Sequence, residues 1–140
     1  MQTSVYLFFN GNALEAMTRY ADVLGGEVLG VFQNRHAPDA ESRMPGGDDL
    51  VMNMAIRIAD RVIMASDAAE GWYQKPQGFS VSIEPSSTAE AERVYAALSE
   101  DAQSVMMPLG ETFWAELYAM FTDRYGTPWM INFPGRKAMV

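Results

Sequence analysis

The sequence predicts an α+β fold built from two tandem βαβββ modules. Three observations predict it. A strand-like run leads directly into an amphipathic helix twice, at "SVYLFFNGNALEAMTRYADVLGG" and at "GFSVSIEPSSTAEAERVYAAL". Each helix is followed by three further strand-like runs. The two halves repeat this order of elements without repeating its letters. A length of 140 residues suits one domain with a real core. The expectation is a single domain over 1–140, with module one at about 4–67, module two at about 78–133 and a C-terminal tail at 134–140.

In the first module "SVYLFFN" alternates as a strand. Ala13, Ala16, Met17, Tyr20, Ala21 and Leu24 then recur at helical spacing. Asn12 with Glu15 resembles a capping box, and Gly25-Gly26 supply the stop. "EVLGVFQ", "LVMNMAIRI" and "RVIMASD" complete the module as strands. Between the first two of these, "NRHAPDAESRMPGGDD" (34–49) is polar, rich in Gly and Pro, and longer than most loops in a compact domain. It reads as a surface loop or as a lid over a site. Trp72 and Tyr73, in the connector, read as a cleft wall or as a seal over the core. In the second module "GFSVSIE" is the first strand, and Ser87 with Glu90 forms a second capping box. Ala91, Val94, Tyr95 and Leu98 share one face of the helix, and "QSVMMPL", "WAELYAMFTD" and "TPWMINF" are the closing strands.

Strand parity separates the two faces of each sheet. Phe79, Val81 and Ile83 alternate with Ser80 and Ser82, and Trp129, Ile131 and Phe133 with Met130 and Asn132. The fully apolar sets are expected to face the helices. The same rule sends Met52, Met54, Ile56 and Ile58 to the core and turns Asn53, Ala55 and Arg57 away. It buries Leu117, Ala119 and Phe121 and leaves Trp114, Glu116, Tyr118 and Met120 opposite. The helix-free face therefore mixes hydroxyls, an amide, charges, methionines and aromatics. A half-closed cleft explains that mixture; a dimer interface covering the face is the competing reading.

Composition narrows the partners. Eighteen acidic against 10 basic residues give a net charge of −8, which opposes the phosphate backbone of nucleic acids and anionic membrane surfaces. No apolar run reaches the roughly 18 to 20 residues of a transmembrane helix, and no basic start with a small-residue cleavage site is visible. A cytoplasmic location is the expectation. The chain has no cysteine, so disulfide and thiolate chemistry are out of reach.

The pieces "YLFFNGNALEAMTRYADVLGGE", "QGFSVSIE", "MPLGETFW" and "TDRYGTPWMINF" resemble the vicinal-oxygen-chelate superfamily, which includes the glyoxalase and bleomycin-resistance proteins. They are most similar to its PhnB-like branch. The resemblance covers residues 4 to 133 and implies modules that curl into a U-shaped half-barrel cleft, usually in a homodimer. It also implies four metal-ligand places, one pair per module, which fall on Val5 or its neighbour Tyr6, on Met64, on Gly78 and on Met130. A thioether is a soft, weak donor and glycine offers no side chain. The one histidine, His36, lies in the long loop. The expectation is no metal at that place and no cofactor. Asp48, Asp49 and Asp67 offer only the oxygen set of a hard cation, which solvated acids also present.

Other chemistries leave weaker traces. Branch members carry a demethylubiquinone methyltransferase label, yet no G-x-G-x-x-G or Walker loop is present. A triad would need His36 to reach Ser66, Ser80 or Ser82 without a nucleophile elbow. Glu116, on an aromatic and partly dry face, is a candidate base if its pKa is raised. Arg57 is a candidate clamp for an anionic group, or simply a partner for Glu116. The expected ligand-binding set is Asn53, Arg57, Ser66, Ser82, Trp114, Glu116, Tyr118, Met120 and Asn132. The expected function is metal-independent binding of a small amphipathic or aromatic molecule by a homodimer. The alternative is a lyase, isomerase or dioxygenase-like enzyme on the same scaffold, using Glu116 or a metal elsewhere.

Overall fold

In a computed structural model that describes residues 1–138, the elements follow the expected order; residues 139 and 140, the end of the expected tail, lie outside the described residues. The described chain divides into two compact units, Met1–Gln74 and the part from Lys75 onward. The first unit contains β1 (Val5–Phe9), α1 (Ala13–Val23), β2 (Glu27–Gln33), β3 (Val51–Ile58) and β4 (Arg61–Asp67). The second contains β5 (Val81–Ile83), α2 (Thr88–Leu98), β6 (Ser104–Gly110), β7 (Leu117–Thr122) and β8 (Pro128–Phe133). Each is a βαβββ module with one four-stranded sheet, ordered β1-β4-β3-β2 and β5-β8-β7-β6. The first strand pairs in parallel with the fourth, and the remaining pairs are antiparallel.

Parity decides the cores. In the first unit Leu7, Phe9, Met54, Ile56 and Ala65 are buried with Ala13, Ala16, Met17 and Tyr20 of α1. The Phe9 and Tyr20 rings lie 6.3 Å apart. In the second, Ala119, Phe121, Trp129 and Ile131 are buried with Ala91, Val94 and Leu98 of α2, and Tyr95 meets Phe121 edge-on at 5.5 Å. Each large apolar side chain buried in this way contributes about 1.5–3 kcal/mol. No helix is long and apolar enough to cross a membrane among the described residues.

Local signals are overridden in three places. Asn12 makes no side-chain cap, and its Oδ1 is buried without a partner among the described residues. The α1 N-terminus is held instead by Asp67, whose Oδ1 accepts the N–H groups of Gly11 at 3.0 Å and Ala13 at 2.9 Å. Its Oδ2 accepts from Val51 N at 2.9 Å. An ionised acceptor near the positive end of the helix satisfies more than an amide at Asn12 would. In the second unit Ser87 does cap α2 by accepting from Glu90 N, while the Glu90 carboxylate reaches back to Ser86 N rather than to Ser87 N. The third departure lies in β7, which begins at Leu117 and not at Trp114. Thr112 and Ala115 close a turn on each other first. At the end of α1 the Gly25-Gly26 pair has a double role: Gly25 takes φ +70°, and a side chain at Gly26 would collide with the Arg57 carbonyl.

Candidate functional site

The helix-free face of the second sheet carries a pocket of about 630 Å³. Its floor is a cross-strand row in which Ser82 of β5 pairs with Met130 of β8, and Met130 with Met120 of β7. Thr122, Pro128 and Ser104 form the adjoining row. Met106 enters from the edge strand, where the register slips between Val105 and Met107. Gly78, Phe79, Ser80 and Lys75 complete the wall. The surface is thioether and aromatic, fringed by hydroxyls, with a single charged group. Flexible, polarizable methionines adapt to apolar and aromatic guests.

Of the expected site residues, Ser82 and Met120 lie in this pocket. Trp114, Glu116, Tyr118 and Asn132 gather further along the same unit. The Trp114 ring stands edge-on to Tyr118 at 5.2 Å, so the two meet although Trp114 lies outside the strand. Tyr118 is buried and pairs with Asn132, whose Oδ1 is a buried acceptor with no partner among the described residues. Glu116 corrects an expectation. Its side chain is 18% exposed and accepts from Arg136 Nε at 2.7 Å. That hydrogen bond holds the carboxyl below its ordinary pKa despite some desolvation. The premise of a raised, base-competent Glu116 fails, because the cation comes from the tail turn at Gly135–Lys137. Gly135 suits that turn: it takes φ +56°, where other residues are strained, and a Cβ there would displace the Glu116 carboxylate from its present position.

Asn53, Arg57 and Ser66 belong to the first unit and do not join that group. Asn53 is exposed and accepts from the Tyr6 hydroxyl at 3.3 Å. Arg57 pairs with Glu27 across β2 and β3 at 2.7 Å, not with Glu116. Ser66 is buried and lines a separate pocket of that unit. The long loop is braced from within. Buried Asn34 donates to the carbonyls of Met44 and Gly47 and accepts from Met44 N, each at 3.0 Å, and Arg35–Asp49 and Arg43–Asp48 are ion pairs. His36 Nδ1 accepts from Gln33 N at 2.9 Å and is thereby occupied.

The four positions implied for metal ligands can be tested on this chemistry. Tyr6 and Met64 are register partners in the first unit. Gly78 and Met130 both line the second unit's pocket. A phenol, two thioethers and a glycine do not fit a divalent ion that needs nitrogen and carboxylate donors. No group of three or more His, Cys, Asp or Glu side chains is placed to hold a metal among the described residues. Asp67 spends both oxygens on backbone N–H groups.

Sequence reasoning misses Phe79, Thr122, Ser104 and Met106. Parity assigns Phe79 to the core, but β5 begins only at Val81 and Gly78 turns at φ +82°, leaving the Phe79 ring 47% exposed. Thr122 shares the parity of Met120 and was legible; its partner Ser104 follows from register. The slip that brings the exposed Met106 to the pocket's edge has no local signal.

A family model described as 3-demethylubiquinone-9 3-methyltransferase matches residues 1–132. The chain is 32% identical over 140 residues to protein YjdN of Escherichia coli strain K12, covering 94% of this chain and 95% of that one. Protein PA1353 of Pseudomonas aeruginosa has a similar crystal structure, with TM-score 0.85 and 39% identity over 95% of this chain and 97% of that chain. A PhnB protein from Bacillus cereus aligns with TM-score 0.80 and 20% identity, covering 95% and 99%. The fold is also that of a mutant of the fosfomycin resistance protein FosX from Listeria monocytogenes, crystallised with Mn(II) and 1S,2S-dihydroxypropylphosphonic acid, at TM-score 0.62 and 10% identity over 94% and 90%.

Proposed function

The chain belongs to the PhnB-like family of the vicinal-oxygen-chelate superfamily, and on that premise we propose that it binds a small amphipathic or aromatic molecule without a metal, in the pocket of its second unit. The observation that carries this reading is the lining. At two of the places where the superfamily resemblance implies metal ligands, this pocket has Met130 and Gly78, and Met106, Met120 and Phe79 line it with them. Thioethers and a ring offer dispersion to an apolar guest, and Ser80, Ser82, Ser104 and Thr122 can hydrogen-bond its polar edge. A volume of about 630 Å³ falls in the range of roughly 300–1,000 Å³ typical of small-molecule sites. The enzyme alternative through Glu116 loses support, since its arginine partner keeps that carboxylate ionised and weakly basic.

The uncharged dye N-phenyl-1-naphthylamine tests the reading. Its fluorescence should rise on binding to the purified protein, unchanged by EDTA, and Met130→Lys should weaken it at least tenfold while leaving the circular dichroism spectrum intact. A dye response that EDTA removes, or that Met130→Lys leaves untouched, refutes the proposal. A second copy of the chain is the protein partner this reading expects, and chromatography with light scattering reports it.

A further inference from the structure

The first unit holds a pocket of its own, about 400 Å³ in volume, lined by Phe8, Met44, Ser66, Asp67, Trp72 and Gln74 together with Ala68 and Ala69. It shares no residue with the pocket of the second unit, so a guest here is independent of the function proposed for that one.

Three observations give it the character of a built site. Ser66 is 5% exposed as a whole residue and lines the pocket; its hydroxyl makes no hydrogen bond among the described residues and stays open at the pocket wall rather than sealed. An unpaired hydroxyl open at a largely apolar wall is a hydrogen-bond donor available to a guest and helps fix its orientation. Trp72 leaves an indole 77% exposed at the pocket's rim, and Phe8, the register partner of Ser66, is 54% exposed. Large aromatic faces beside an open volume are stacking platforms. The frame is also fixed. Met44 is held through both its backbone groups by the buried amide of Asn34, the Asp67 carboxylate is tied to three backbone N–H groups, and Trp72 N donates to Ala69 O at 2.9 Å. A frame already in place loses little entropy on binding.

The electrostatics select the guest. Asp67 is the only ionisable group in the lining, and the chain carries a net charge of −8, so an anion is disfavoured. We propose that this pocket binds a small, uncharged, planar heteroaromatic molecule, its face against the Trp72 indole and a ring heteroatom accepting the Ser66 hydroxyl. The connector tryptophan is then a wall of a site and not a seal over the core. The long loop is the part of the chain that supplies Met44 to that wall.

Quinoline and naphthalene, equal in shape but differing in one acceptor nitrogen, are the probes. The side-chain indole N–H signals of Trp72, Trp114 and Trp129 are followed by two-dimensional NMR, with Trp72→Phe assigning the first. Quinoline should move the Trp72 signal saturably. Ser66→Ala should weaken quinoline about fivefold or more, the worth of roughly 1 kcal/mol, while leaving the naphthalene response as in the unaltered protein. Met130→Lys, which spoils the other pocket, should leave the Trp72 shift in place. A Trp72 signal that stays still up to the solubility of quinoline overturns the proposal. So does a Ser66→Ala effect equal for both probes, or a Trp72 shift lost in Met130→Lys.

Discussion

Removing the carboxylate of Asp67 should be among the most damaging single changes in the first unit. The side chain is 2% exposed and accepts three backbone N–H groups, from Gly11, Ala13 and Val51, at 2.9–3.0 Å. Hydrogen bonds to a charged acceptor contribute about 1.5–3 kcal/mol each, and a buried donor left without one costs about 1–3 kcal/mol. Gly11 is exposed, so water can replace its partner, while Ala13 is fully buried and Val51 nearly so. Asp67→Ala should therefore cost about 3–5 kcal/mol, in the upper tail for point mutations. Asp67→Asn is the sharper test. Both oxygens are in use, so an amide must turn its NH₂ toward a backbone N–H whichever way it is flipped, and a loss of at least about 2 kcal/mol follows. Urea unfolding followed by far-ultraviolet circular dichroism measures both, with the stability read from the midpoint at unchanged slope. An Asn variant within about 0.5 kcal/mol of the unaltered protein would refute the assignment of Asp67 as the clamp of α1 and β3.

Glu116 should make stability depend on pH in one direction. Its folded pKa is depressed by Arg136, so its contribution is complete above the unfolded carboxylate pKa and is lost as pH falls through the folded value. Glu116→Gln should then lower the thermal midpoint at about pH 7, and the gap to the unaltered protein should narrow as pH falls below the ordinary carboxylate range; a gap that widens on acidification contradicts the pairing. Trp114 is half-buried and touches Phe113 and Tyr118 edge-on, so Trp114→Ala should cost about 1–2 kcal/mol, against the roughly 3–5 kcal/mol of a sealed aromatic. Protein purified without added metal should hold well under one zinc, nickel, iron or manganese ion per chain by elemental analysis, and one ion per chain lost in Tyr6→Phe would contradict the reading of the donor set.

The fold was legible because its signals are local and redundant. Period-two alternation in β3 and β8 and helical spacing in α1 and α2 each state which face is apolar, and the buried residues Met54, Ile56, Trp129 and Ile131 follow. The site was less legible, because polar partners are chosen over long separations. Asp67 displaces Asn12 as a cap from 54 residues beyond Ala13, and Arg136 reaches Glu116 across 20 residues. No periodicity records such choices. The residues of the expected set split between units for the same reason: parity says which way a side chain faces and not which neighbour it meets. Phe79 fails at a boundary, where alternation is extended past the point at which Gly78 turns the chain.

The amide clasp at Asn34 also makes the long loop a replaceable part. Asn34 N–H bonds Leu50 O at 2.9 Å and Arg35 N–H bonds Asp48 O at 3.2 Å, so the loop is laced shut at its base, while residues 38–43 are exposed throughout. Changes of length or letter in that outer arc are insulated from the sheet, and each doubling of a flexible loop costs only about 0.6 kcal/mol of closure. A peptide epitope or a reactive tag inserted between Pro38 and Arg43 would be displayed beside the Trp72 pocket with β2 and β3 undisturbed. The loop is thus a cassette through which a binder on this scaffold can be retargeted one segment at a time.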